Sequence, residues 1–190
     1  MLGRVLQLIA ELERDLVHRV PSVPRETAEV LRLIAFLVAS TRDEVKILEI
    51  GTGYGYSTLW FLRGVLEAGG SCVIYTIEIR EDRGGTFDGL VRERGLGEYV
   101  RVFIGNALDV IPSLDDVFDL VFIDARKVEY GDYLRLVYPK LRKGGIVLAH
   151  NVIGFRDSMI DFLNEINNEE RWRTIVYAID PQGLSVSVKK

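Results

Sequence analysis

From Lys46 onward the chain alternates short, nearly all-apolar runs with helical patterns, and few folds tolerate that rhythm. The runs are KILEI (46–50), CVIYTIE (72–78), VRVFIG (100–105), LVFIDA (120–125) and IVLAH (146–150). Helical spacing falls between them, at about 56–68, 82–94, 107–114, 130–141 and 156–168. Strands that are apolar on both sides must be covered on both faces, which is the habit of a parallel sheet flanked by helices. The segment at 82–94 fits least well, because Gly84, Gly85 and Gly89 all disfavour a helix.

The two ends depart from the rhythm. After the last helical pattern come WRTIVYAI (172–179), the turn-formers Asp180-Pro181-Gln182-Gly183, and LSVSVKK. So short a link predicts an antiparallel hairpin rather than another crossover. Ahead of the alternation, Leu2, Val5, Leu6, Ile9, Leu12 and Leu16 recur at helical spacing over 2–18. Pro21 and Pro24 then punctuate, and a second apolar helix is expected over 25–40.

Composition removes several classes of function. At 190 residues and 48% hydrophobic, the chain suits one domain with one filled core. Its net charge of −4 lacks the basic balance of a general nucleic-acid binder. The lone cysteine, Cys72, sits in an apolar run, which rules out a disulfide framework and predicts a buried thiol. No apolar run approaches the ~18 residues that span a bilayer. The opening MLGRVLQLIAELERDLV is interrupted by acids and lacks the form of a secretion signal, so a cytoplasmic protein is expected.

One junction stands out. The first strand-like run enters Gly51, Gly53 and Gly55, and a helix follows at once. Glycines there let main-chain N–H groups and a helix N-terminus face a ligand with no Cβ in the way. The G-x-G-x-G spacing differs from the G-x-G-x-x-G of dinucleotide enzymes, and Tyr56 stands where a pyrophosphate would need a small residue. The second run ends in Glu78. A carboxylate at that strand end can accept both hydroxyls of a ribose, so a nucleoside-containing ligand is expected.

These stretches resemble, in order, the motifs of the S-adenosylmethionine-dependent O-methyltransferases of the catechol and caffeoyl-CoA type. The matching segments are ILEIGTGYGYSTLWF, YTIEI, VFIGNALDVIP, FDLVFIDARKVEYGDYL, LRKGGIVLAHNV and GLSVSVKK, and together they cover about 22–190. The resemblance implies an α/β, Rossmann-like methyltransferase fold. Its sheet would have seven strands, mostly parallel with an antiparallel C-terminal strand, with helices on both faces. The helices of 1–40 would cover the sheet or the acceptor site within one domain, 1–190.

By the same resemblance, Glu49, Gly51, Thr52, Gly53, Tyr54, Tyr56 and Ser57 would wrap the methionine end of S-adenosylmethionine. Tyr56 and Ser57 would meet its carboxylate. Glu78 would take the ribose, with Ile79 beside the adenine, and Asn106 and Ala107 would read the adenine edge. Asn106 replaces the more frequent Asp, and its amide oxygen can still accept from an amine. A small-molecule acceptor and a homodimer are the partners implied.

The acceptor chemistry falls to Asp124, Lys127, His150 and Asn151. A phenolic hydroxyl ionises near pH 10, so making it anionic is the obstacle at neutral pH. A divalent cation or a nearby lysine lowers that barrier. Asp124 and Lys127 match the family's D-x-x-K, whereas His150-Asn151 stands where the family usually has Asp-Asn. An imidazole shifts preference from Mg towards Zn, Ni, Co or Fe. Three readings stay open: an altered metal site at Asp124, His150 and Asn151, a metal-free site with His150 as general base, and a site without activity. His18 is expected on the surface of the first helix.

The segment after Asn151 is shorter than usual, which implies a more open acceptor pocket or closure by the N-terminal helices or a partner subunit. Tyr54, Tyr130, Tyr133, Phe155, Arg126 and Arg156 are candidates to line it. Methylation of N or C, on tRNA or a corrin-type precursor, and a non-catalytic S-adenosylmethionine-binding module are the competing functions.

Overall fold

The computed structural model describes residues 1–15 and 22–190; Leu16, His18 and Pro21, singled out above, lie outside the described residues. Seven strands form one sheet: Glu44–Ile50 (β1), Ser71–Glu78 (β2), Val100–Ile104 (β3), Phe118–Ile123 (β4), Leu141–His150 (β5), Trp172–Tyr177 (β6) and Leu184–Lys189 (β7). Their order is β3-β2-β1-β4-β5-β7-β6. The first five run parallel to one another. β7 runs antiparallel between β5 and β6, so the expected hairpin forms and its last strand inserts beside β5. The chain winds outward from β1 to β3, then restarts at β4 on the other side of β1. That reversal leaves a crevice outside the carboxyl ends of β1 and β4, where open α/β sheets bind ligands.

Strand alternation sorts the core. Ile47, Leu120, Phe122 and Leu148 pack on one face, against helices α1 (Leu2–Asp15), α2 (Arg25–Ala39), α3 (Tyr56–Glu67) and α4 (Glu81–Glu93). Leu48, Ile50, Val121, Ile123 and Val147 point the other way, towards α5 (Ala107–Ser113), α6 (Tyr130–Val137) and α7 (Ile160–Ile166). Burial on both faces is why these runs are almost wholly apolar.

The doubtful helix exists. α4 buries Phe87 and Val91, and burial of each contributes about 1.5–3 kcal/mol. Three glycines cost a helix about 1 kcal/mol each, so packing offsets the poor propensity. Gly84 also has a positive use: a Cβ there would lie 3.1 Å from Ile104 and 3.3 Å from Glu78, so its absence lets α4 close on β2 and β3.

Elsewhere the boundaries move. α6 ends at Val137 and passes into a 3-10 turn at Tyr138–Lys140, because Pro139 has no N–H to continue the ladder. In α1 the buried face is Val5, Leu8, Ile9 and Leu12, while Leu6 is exposed, a correction to the expected stripe. No helix among the described residues is long and apolar enough to cross a membrane.

Candidate active site

At the end of β1 the backbone enters the left-handed region three times, at Gly51, Gly53 and Gly55. Gly51 (φ +101°) is forced by a close approach: a Cβ would lie 2.2 Å from the Asp124 carbonyl oxygen. Gly53 (φ +56°) is different, since a Cβ would meet nothing within 4 Å. Its bare side faces open space, and its N–H donates to Glu78 Oε2 at 2.7 Å. Glu78 Oε1 accepts from the Arg80 N–H at 2.9 Å. The carboxylate is thus fixed at the mouth of β2 with lone pairs to spare.

Above this turn lies a cavity of about 640 Å³. Gly51, Thr52, Gly53, Tyr54, Tyr56 and Ser57 line it from the turn, with Glu78 and Ile79 from the end of β2. Asn106 and Ala107 line it from the start of α5, and Asp124, Lys127, His150 and Asn151 from the ends of β4 and β5. The topology alone gathers these positions, since each follows the carboxyl end of a strand. Three side chains are committed in ways the sequence did not show. The Tyr56 hydroxyl donates to Glu13 of α1 at 2.7 Å, so towards a ligand it offers its backbone. The Ser57 hydroxyl donates to Glu49 at 2.5 Å. Asn106 Oδ1 caps α5 by accepting the Leu108 N–H at 3.0 Å, which occupies part of the acceptor capacity expected for an adenine amine.

Glu49 is a correction. Alternation turns it to the face of Ile47, beneath the first turn of α3, where it is fully buried and outside the cavity lining. It accepts hydroxyls from Ser57, Thr58 and Thr76. Burial pushes its carboxyl up to about 7, with those three hydroxyls holding it back and Asp124 adding to the rise. Among the expected pocket aromatics, Tyr54, Tyr133 and Phe155 line the cavity, as does Arg126. Tyr130 and Arg156 do not; Tyr130 is core, its hydroxyl donating to the His150 carbonyl at 3.2 Å. Leu12, Val23 and Pro24 bring the N-terminal segment to the cavity lining.

The polar end of the cavity is a chain of charges. Lys127 Nζ donates to Asp124 Oδ1 at 2.9 Å. His150, 3% exposed, faces Asp124 Oδ2 with Nδ1 at 3.6 Å and Asp180 Oδ2 with Nε2 at 3.0 Å. Burial works against the imidazolium, but Asp124 and Asp180 together outweigh it and raise the His150 pKa. The Asp124 carboxyl is held below its ordinary value: burial opposes ionisation, and His150 and Lys127 overcome it. Asn151 sits in the left-handed region at φ 70°, with Oδ1 buried and without a hydrogen-bond partner among the described residues.

A metal-bound imidazole must offer a nitrogen lone pair; Nε2 is taken up by Asp180, while Nδ1 is buried with no hydrogen-bond partner among the described residues. Asp124 already faces Lys127 and His150. Among the described residues, no group of three His, Cys, Asp or Glu side chains could hold a metal ion. A general base needs the same lone pair, which Nδ1 can offer when Nε2 carries the proton to Asp180. Asp180 was missed in sequence because it reads as an ordinary turn-former. The signal lay in topology: His150 pairs with Leu184 across β5 and β7, which brings the preceding turn to the same edge.

Comparison with known proteins agrees with this geometry. The methyltransferase-domain family matches residues 48–152. The catechol O-methyltransferase of Mycobacterium tuberculosis is 35% identical over 118 residues, 62% of this chain and 52% of that protein. The catechol O-methyltransferase of Niastella koreensis is 32% identical over 136 residues, 70% of this chain and 58% of that protein. The chain thus spans little more than half the length of these curated relatives. The crystal structure of the O-methyltransferase from Bacillus cereus in complex with SAH superposes with a TM-score of 0.78 at 25% identity, covering 100% of this chain and 90% of that one.

Proposed function

The chain belongs to the methyltransferase-domain family, and from that premise we propose that it transfers the methyl group of S-adenosylmethionine to a hydroxyl oxygen of a small phenolic acceptor. The observation that carries this reading is one cavity with two kinds of end. At one, Glu78 and the bare backbone of Gly53 suit a nucleoside; at the other, Lys127 and Asp124 suit an acidic hydroxyl. The two catechol O-methyltransferase relatives and the SAH-bound structure support it.

Glu78 would hold the ribose hydroxyls, and Ile79, Asn106 and Ala107 the adenine. The backbone at 51–55 and the N-terminus of α3 would hold the methionine carboxylate. When bound, S-adenosylmethionine supplies a methyl carbon on a sulfonium, which takes the acceptor oxygen's electron pair as the carbon–sulfur pair returns to sulfur. The chain's own task is to orient the acceptor and make its oxygen anionic. Lys127 Nζ, fixed by Asp124, places a positive charge where that oxyanion forms, and the hydroxyl proton leaves through the open mouth to solvent. Phe155, which lies within 6.0 Å of Lys127 Nζ, gives the acceptor ring an apolar wall.

A cytoplasmic location belongs to the same reading. A homodimer finds support in Leu33 and Leu37, exposed one turn apart on α2. Incubation with methyl-labelled S-adenosylmethionine and a panel of catechols tests the function. Label in the acceptor is expected; label in tRNA instead, or in nothing, refutes it.

A further inference from the structure

The sheet ends in an unguarded edge. β6 is its outermost strand beyond β5, paired with β7 on one flank and, among the described residues, with nothing on the other. Ile175 (49%), Val176 (44%) and Tyr177 (49%) are consecutive apolar residues left exposed, so both faces of the strand are bare. Residues 174–178 carry neither charge nor proline. Arg173, the one charge within the strand, turns back to the carbonyls of Glu169 and Trp172. The register with β7 runs unbroken from Trp172 to Tyr177, without a bulge. Edge strands are ordinarily kept from pairing with another chain by lysines, prolines or bulges. This one has none of them.

The free main-chain groups form a pattern with its own symmetry. In an antiparallel pair, opposed residues alternate between exchanging both hydrogen bonds and exchanging none. The Lys190 N–H donates to the Arg171 carbonyl at 2.9 Å, which makes 171 and 190 a bonded pair. By alternation Arg173, Ile175 and Tyr177 also turn their N–H and C=O groups to β7, opposite Val188, Val186 and Leu184. Thr174 and Val176 turn theirs outward. The Trp172 N–H already donates to the Asn168 carbonyl at 2.9 Å. The open groups of the strand are therefore centred on Ile175.

We propose that β6 pairs antiparallel with β6 of a second copy of this chain, about a two-fold axis at Ile175, joining the two sheets edge to edge. In that register Thr174 lies opposite the partner's Val176, and Val176 opposite the partner's Thr174. Each of these N–H groups then finds a carbonyl, as a self-complementary interface requires. Arg173 comes opposite the partner's Tyr177, a cation beside an aromatic ring instead of beside a second cation. The complementarity belongs to this strand and its own copy, which is why the occupant is a second copy and not an unrelated chain. Ile175 shares the face of Val186, the side of the sheet on which α2 packs, and Leu33 and Leu37 are exposed on α2. These side chains add apolar area beside the ladder and give the homodimer its interface.

The test uses the full chain in sedimentation equilibrium, where wild type is expected to show twice the mass of one chain. Ile175→Cys places a thiol on the axis. Opposed residues of a non-bonded pair bring their Cβ atoms within about 4.5–5.5 Å, near the separation a disulfide spans. Mild oxidation should link the copies through it, since the native Cys72 is buried. Glu98→Cys, exposed beside β3 at the far edge, should stay unlinked. Val176→Pro removes an outward N–H that β7 does not use, and association should weaken about tenfold or more. Ile175→Lys sets like charges across the axis, and association should weaken about a hundredfold or more. Both variants should bind S-adenosylhomocysteine with wild-type affinity. In hydrogen exchange the amides of Thr174 and Val176 should be slow in wild type and fast in Ile175→Lys. A wild type of single-chain mass overturns the inference. So does a dimer that Ile175→Lys leaves intact or that Ile175→Cys fails to link, because its interface then lies elsewhere. None of these results touches methyl transfer, which stands or falls on cofactor binding and label.

Discussion

Glu78 Oε2 accepts the main-chain N–H of Gly53 at 2.7 Å, tying the end of β2 to the glycine turn that follows β1. The bond spans the two strand ends between which a nucleoside would lie, and it sets the carboxylate before any ligand arrives. Pre-organised groups lose less on binding, so this contact should dominate cofactor affinity.

Glu78→Ala is therefore expected to fold and to lose the cofactor. At a hundredfold excess over Kd, a ligand adds about 2.7 kcal/mol of stability, or roughly 5–10 °C in Tm for a chain of this size. Differential scanning fluorimetry with S-adenosylhomocysteine should show that rise in wild type and almost none in the variant. An undiminished rise would remove Glu78 from the site.

Gly51 and Gly53 should part company when changed to alanine. At Gly51 the new Cβ meets the Asp124 carbonyl at 2.2 Å, and the expected loss is about 2–4 kcal/mol of stability. At Gly53 the new Cβ meets no protein atom, so the cost is the left-handed backbone alone, about 1–2 kcal/mol. Its methyl enters the cleft, and affinity for S-adenosylhomocysteine should fall at least tenfold. Urea melts and calorimetry on the pair separate the two effects.

Lys127→Met is expected to lower kcat by about 10²–10³, as removal of one oxyanion-stabilising group does. Cofactor affinity should hold within a few-fold, because Lys127 sits at the acceptor end. Steady-state kinetics with a catechol, read beside cofactor titration, decides it; a loss of affinity equal to the loss of rate would mean Lys127 serves binding instead.

Glu49 gives a pH signature. Its carboxyl titrates near 7 in the folded chain against 4.5 ordinarily, so the folded state keeps a proton that the unfolded state releases. Its contribution is fully present below 4.5 and is lost as pH rises through 7, a change on the order of 3 kcal/mol. Glu49→Gln lacks that slope. Across pH 5 to 8 its stability should gain on wild type, and parallel curves would contradict the burial argument.

Local pattern determined the frame. The alternation from Lys46 onward required a parallel sheet with helices on both faces, and the short DPQG link required a hairpin, because both follow from which side chains must be buried and how few residues can reverse a strand. The glycine turn and Glu78 were legible for the same reason: a left-handed turn and a strand end leave marks in neighbouring residues. Tertiary structure decided the rest. It kept a helix through three glycines because Phe87 and Val91 are buried. It turned Glu49 under α3 and Tyr130 into the core, since the face a side chain takes depends on what packs opposite. Above all, it brought Asp124 and Asp180 to either side of the His150 ring, with Thr27 behind Asp180. No sequence pattern joins positions so far apart; the insertion of β7 beside β5 does, and through it a turn residue came to meet His150.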